Sequence, residues 1–163
     1  MRVRQYAYLG ANSSRVPPEE ISLQLGLLAD ETEVKGSRKV GTHLLPKFHI
    51  WKLNSGVSDT SRLDDHFDAL FELIKPAAEA VRRFHAEEGN WAVLQAVRYF
   101  EPGMEDEEIL AESLKSLEDL GPGAQRLRGQ HPLVGFGVSA DLLAWLGIAG
   151  IPLEFDEYGD ELE

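Results

Sequence analysis

The chain has 163 residues, 43% of them hydrophobic, which is the size and composition of a single globular domain. It contains no cysteine, so disulfides, thiolate nucleophiles and zinc sites built on cysteine are excluded. The net charge of −12 is uneven: residues 1–54 carry eight basic and five acidic side chains, whereas residues 55–163 carry eight and 23. This balance disfavours nucleic acid and anionic membranes as partners and favours a basic protein, although acidic surfaces also simply keep proteins soluble.

The elements predicted from the pattern of apolar residues alternate strands with helices. In chain order they are a strand over 3–9, a helix over 17–26, strands over 31–36 and 47–53, a helical pattern over 58–88, a strand over 91–100, a helix over 101–123, a strand over 133–139, a helix over 140–147 and a strand over 148–158. This order repeats the β-α-β unit. We therefore predict one α+β domain over 1–163, built of ferredoxin-like βαβ units, with a mainly antiparallel sheet and helices packed on one face.

Two local signals refine these elements. In the first strand Tyr6 and Tyr8 alternate with apolar residues, so the two tyrosines fall on one face of the sheet. Pro76 interrupts the longest helical pattern, because proline lacks the amide hydrogen that a helix interior requires. That segment either kinks at Pro76 or restarts there as a second helix.

One pattern occurs twice, as EISLQLGLLADETEVKG near the start and DLLAWLGIAGIPLEFDEYG near the end. Each reads as a short apolar helix, a Leu-Gly stop at Gly26 or Gly147, and an extended segment. Ser139 precedes the second helix and is expected to cap it. The repetition indicates reuse of one packing arrangement, and chance similarity is the alternative.

No catalytic, cofactor or metal-binding motif is recognisable. The five histidines form no i, i+4 pair on a helix and no H-E-x-x-H motif, and we interpret them as surface or partly buried residues. Asp64, Asp65 and Asp68 are acids in the first turns of a helix, where the helix dipole favours them. The three tryptophans are expected in the core, with a shared ligand pocket as the alternative: Trp51, Trp91 and Trp145.

The first candidate binding site is acidic. It consists of four consecutive carboxylates in one helical turn: Glu105, Asp106, Glu107 and Glu108. Such a cluster attracts a cationic protein, because complementary charge steers the encounter between partners. The ordinary alternative is a solvated start of a helix.

The second candidate site is basic. The loop GSRKVGTHLLPK, residues 36–47, concentrates cations in an otherwise acidic chain, so it is suited to a small anionic ligand or to pairing with the protein's own acids. With the strand that follows, it supplies the candidate ligand-binding residues Arg38, Lys39, His43 and His49.

The segments YAYL, PPEEISLQLGL, LDDHFDALFELIKP and GFGVSADLLAWLG, followed by FDEY, resemble the bacterial domain of unknown function 4279. The resemblance spans nearly the whole chain, and the stretch 101–130 looks like an acidic helical insertion relative to that pattern. The resemblance implies a small bacterial α+β protein without an assigned activity, and it provides no catalytic residues to transfer to this chain.

The leading functional hypothesis is a non-enzymatic protein-binding module, for example of the inhibitor or immunity type, that docks a basic partner. The alternative is a small-ligand-binding protein or enzyme with a site near residues 36–49, and a third possibility is self-association through the edge of the last strand. The segment MRVRQYAYLG lacks the apolar core of a signal peptide, and no apolar run reaches the ~20 residues of a membrane span. We therefore expect a cytoplasmic protein.

Overall fold

The computed structural model of the chain describes residues 2–37, 45–101 and 135–159. These residues form one five-stranded sheet and four α-helices. The strands are β1 (Arg2–Ser13), β2 (Glu31–Glu33), β3 (His49–Asn54), β4 (Asn90–Glu101) and β5 (Leu153–Gly159). The helices are α1 (Pro18–Leu25), α2 (Leu63–Ile74), α3 (Ala78–Ala86) and α4 (Ala140–Ala149). The predicted α+β class is confirmed.

The strands lie in the order β2-β3-β1-β4-β5, so the first strand of the chain is at the centre of the sheet. All neighbouring strands are antiparallel except β4 and β5, which are parallel. The connections β1-α1-β2 and β3-α2-α3-β4 each join two parallel strands that have one strand between them. The mainly antiparallel sheet is thus confirmed, and the ferredoxin-like assignment of these units stays a prediction.

The hydrophobic core lies between one face of the sheet and the helices. Alternate residues of β1 face this core: Ala7, Leu9 and Ala11, which pair with Ala96, Leu94 and Ala92 of β4. The alanines leave room for large side chains from the helices, which supply much of the buried apolar area. The main contributors are Ile21, Leu63, Phe67, Leu70, Ile74, Val81, Phe84, Leu142 and Trp145.

The ends of α1 and α4 correct one detail of the repeated sequence pattern. Gly26 and Gly150 both adopt φ of 67° at the C-terminal end of their helix, a conformation that glycine accepts without steric cost. Gly147 does not end α4 as predicted, because the helix continues for two more residues and buries Ala149 completely. Ser139 caps α4 as predicted: its side-chain oxygen accepts a hydrogen bond from the amide of Leu142.

Several predicted boundaries change. β1 extends to Ser13, because residues 10–13, expected in a loop, pair with both β3 and β4. The helical pattern divides at a 3-10 turn over Lys75–Ala77, so the second helix after Pro76 is confirmed. Residues 135–139 form no strand, in contrast to the prediction for 133–139. The proposed insertion at 101–130 falls outside the described residues after Glu101.

None of the helices in the described ranges has both the length and the apolar character that crossing a bilayer requires.

Candidate functional site

Most of the site residues predicted from the sequence lie outside the described residues: Glu105, Asp106, Glu107, Glu108, Arg38, Lys39 and His43. His49 is described, as the first residue of β3, and it is half-buried. Its Nδ1 atom accepts a hydrogen bond from the backbone amide of Lys35 at 3.2 Å. This hydrogen bond holds the turn at Lys35 against the start of β3, so His49 has a structural role.

The sheet face opposite the helices carries a different cluster, which we call the tyrosine face. All four tyrosines of the sequence project from it: Tyr6 and Tyr8 from β1, Tyr99 from β4 and Tyr158 from β5. The strand register places them there, since Tyr6 and Tyr8 alternate with the core residues of β1. The core cluster takes only the alternate residues of β1 and β4, which lie on the other side of the sheet, so no described helix packs on the tyrosine face.

The tyrosine rings form a continuous stacked series. Ring centroids are 6.2 Å apart for Tyr6 and Tyr8, 6.4 Å for Tyr6 and Tyr99, and 5.0 Å for Tyr99 and Tyr158. The Tyr8 ring also lies close to the backbone of Gly10, where an added Cβ would be 3.2 Å from Tyr8 Cε2. The rings therefore form an aromatic surface across three strands, and Tyr158 at its end is 50% exposed.

Two of the protein's own cations already lie on these rings. Lys52 Nζ is 4.8 Å from the centroid of the Tyr8 ring, and the Arg4 guanidinium is 5.5 Å from that of Tyr99. Both distances fall within the range of cation–π attraction, in which the negative face of the ring stabilises a positive charge. The tyrosine face is thus chemically suited to cationic groups.

Carboxylates border the tyrosine face along β5. Glu154 and Asp156 project on the same side as Tyr158, and among the described residues neither forms a salt bridge. The Asp156 charge is the main cause of the raised pKa of Tyr158, and it adds to the effect of burial in raising the pKa of Tyr8. Burial likewise raises the pKa of Tyr6. The face therefore combines phenol rings with carboxylates that, among the described residues, form no salt bridge.

A half-open cavity of about 270 Å³ lies at the opposite end of the same face. Phe48 and Trp91 form apolar walls, and Asn12, Gly89 and Asn90 complete the lining. Trp91 is 43% exposed, so its predicted core position is wrong. It alternates with the core residues Ala92 and Leu94 and for that reason points away from the helices. Trp51 and Trp145 are buried in the core, as predicted.

A buried polar pair lies on the helix side of the sheet. His66 is 0% exposed, which corrects its interpretation as a surface or partly buried residue. Its Nδ1 atom and Ser55 Oγ are 2.6 Å apart, and burial lowers the pKa of the ring. A serine–histidine contact can generate a nucleophile, but the burial of His66 keeps substrates from the ring in this conformation. Within the described ranges, no three His, Asp or Glu side chains are grouped to hold a metal ion.

Residues 3–127 match the family model described as a domain of unknown function, DUF4279. The chain belongs to the DUF4279 family. The family suspected from the sequence is thereby confirmed, and the match ends before α4 and β5. Comparison of this DUF4279 protein with curated proteins and with solved structures gave no significant match.

Sequence reasoning found part of the tyrosine face and missed the rest. The alternation in β1 placed Tyr6 and Tyr8 together, but Tyr99 and Tyr158 join them only through the pairing of β4 with β1 and β5. The available signal was the same alternation in β4 and β5. Tyr99 stands two residues before Glu101 and Tyr158 two residues after Asp156, so each tyrosine shares a strand face with a polar side chain.

Proposed function

We propose that this DUF4279 protein is a non-enzymatic protein-binding module that binds a basic protein on its tyrosine face. The observation that supports this best is the combination on one sheet face of all four tyrosines with two carboxylates, Glu154 and Asp156, that form no salt bridge among the described residues. Tyrosine is enriched at protein interfaces because its ring buries a large apolar area while its hydroxyl group stays hydrogen-bonded.

Charge also favours a basic partner. The net charge of −12 attracts a cationic protein over distance and repels nucleic acid. At contact, lysine or arginine side chains of the partner would lie on the tyrosine rings as Lys52 does on Tyr8. The proposal places this interaction in the cytoplasm, for which the lack of cysteine is compatible evidence.

The experiment starts from immobilised full-length protein and a cell extract at low and high salt. A basic protein retained at low salt is then produced, and its affinity is measured by calorimetry for the wild type and for Tyr8→Ala/Tyr158→Ala. The matched control is Leu23→Ala, which truncates an exposed apolar residue on α1, away from the tyrosine face. We expect the double variant to weaken binding at least about tenfold and the control to leave it unchanged.

Two results would overturn the proposal. One is the failure of any basic protein to bind at low salt. The other is a bound partner whose affinity does not distinguish the tyrosine variant from the wild type.

The cavity between Phe48 and Trp91 favours a second candidate function, a small-ligand-binding protein. Phe48 of its lining belongs to the predicted 36–49 site, and the Asn12 side chain forms no hydrogen bond with the described residues, which leaves an amide to orient a ligand. A thermal-shift screen of planar aromatic compounds with the wild type and Trp91→Leu tests it. A ligand that stabilises both chains equally, or no stabilising ligand, would exclude this site.

A further inference from the structure

Gln95 is a buried polar side chain in the middle of the tyrosine face. It is 5% exposed, and its Nε2 atom has no hydrogen-bond partner. In the strand register it pairs with Tyr8 of β1 on one side and with Glu154 of β5 on the other. More than nine in ten buried polar groups are hydrogen-bonded, because a buried donor without an acceptor is costly. An unused donor at this point therefore indicates a position that a ligand can complete.

The surroundings of Gln95 define what that ligand contains. Glu154 and Asp156 supply negative charge on the β5 side, and neither pairs with a cation of the described chain. The protein's own Lys52 lies on Tyr8 from β3, on the other side of β1 from β5. The site thus has two requirements. Its amide donor needs an acceptor oxygen on the ligand, and its carboxylates and aromatic rings attract a cation.

We infer that Gln95, Glu154 and Asp156 form a subsite for one arginine residue of the basic partner. This inference rests on the proposed function and specifies it. The guanidinium group pairs with the two carboxylates and stacks on the half-exposed ring of Tyr158, which follows Asp156 on β5. The main-chain carbonyl oxygen of the same residue accepts the hydrogen bond from Gln95 Nε2.

Arginine fits this subsite better than lysine for two reasons. Its planar guanidinium group matches the fork of a carboxylate with two parallel hydrogen bonds, and it stacks on aromatic rings. The ammonium group of lysine is a strongly hydrated point charge, so it can form neither the two parallel hydrogen bonds nor the planar stack.

The test is a titration of the 15N-labelled full chain, followed by NMR, with N-acetyl-arginine methylamide as the probe. The Gln95 side-chain signals are identified by their loss in Gln95→Leu. We expect the probe to shift these signals and to bind at least about tenfold more tightly than N-acetyl-citrulline methylamide, its neutral isostere. Methylguanidine, which has the cation but no carbonyl group, should move the Gln95 signals less than the full probe.

Charge variants test the subsite without relying on the Gln95→Leu variant. Asp156→Asn should weaken arginine-probe binding about fivefold to tenfold, because one of the two carboxylates is lost. Asp68→Asn is the matched control, since it removes the same charge from an exposed position on α2 on the helix side. Equal effects of the two variants would show nonspecific attraction and overturn the subsite.

The remaining outcomes also decide the question. Unmoved Gln95 signals at about 50 mM probe, where even a weak contact is populated, or equal binding of the citrulline probe would refute the inference. If the basic partner nevertheless depends on Tyr8 and Tyr158, the proposed function stands and only the arginine subsite is wrong. If the partner test fails as well, both are wrong.

Discussion

The buried histidine of α2 should make the stability of the protein depend on pH. His66 has no exposed surface, its Nδ1 atom contacts Ser55 Oγ, and its Nε2 atom has no hydrogen-bond partner. Burial lowers the pKa of the ring below its usual 6.5, and this effect exceeds the opposing influence of the Ser58 backbone and of the charges of Asp65 and Asp59. The folded protein therefore holds the ring in its neutral form.

The sign of the effect follows from which state binds the proton first. Above pH 6.5 the ring is neutral in both states, so it adds no pH dependence. Below that pH the unfolded chain takes up a proton while the folded chain does not, and the free energy of unfolding decreases. The decrease is at most about 1.4 kcal/mol for each pH unit, and it stops at the lowered pKa of the folded state.

The assay is urea denaturation of the wild type and His66→Asn from about pH 8 to about pH 5, followed by circular dichroism. Asparagine keeps a polar atom near the position of Nδ1 and does not titrate. The histidines common to both chains contribute equally and cancel in the difference. We expect the wild type to lose stability below pH 6.5 more steeply than the variant. Equal pH slopes for the two chains would refute the assignment of a buried neutral ring.

Four other substitutions test the packing and the tyrosine face. Ser55→Ala should reduce the free energy of unfolding by about 1–3 kcal/mol at neutral pH, because His66 loses its buried partner; urea denaturation without change would contradict this. Phe67→Ala should cost about 3–5 kcal/mol in the same assay, since its ring is fully buried in the core. Gly150→Ala should lower stability by about 1–2 kcal/mol because of its φ of 67°, and a more stable variant would be inconsistent with that conformation. Tyr158→Ala should alter stability by only about 0.5 kcal/mol while it weakens partner binding, so a large loss in thermal denaturation would assign the residue a structural role instead.

The elements were predictable where the determining signals are local. Proline before α1 and Gly26 after it delimit that helix, and alternation of apolar residues identifies β1 and β4. The sheet order was not predictable in the same way, because it depends on contacts between residues far apart in sequence. Gly147 illustrates the limit: its sequence context matches that of Gly26, but burial of Ala149 in the core extends the helix past it.

The site was less predictable than the fold. Charge patterns directed attention to Glu105–Glu108, which lie outside the described residues, and to the 36–49 segment, half of which does. The tyrosine face depends on which strands are neighbours in the sheet, and the alternation within each strand does not reveal that order. The burial of His66 was within reach, since it stands three residues after Leu63 and four before Leu70 and therefore shares their helix face.

The central position of β1 has a consequence for synthesis of the protein on the ribosome. Its two neighbours, β3 and β4, begin at His49 and Asn90, so both edges of β1 lack their native pairing until those segments have been translated. At about 5–20 residues per second, the interval between the end of β1 and the start of β4 is about 4–15 s. During that interval the edge of β1 that pairs with β4 stays open even after β3 has been made, and unpaired strand edges favour aggregation.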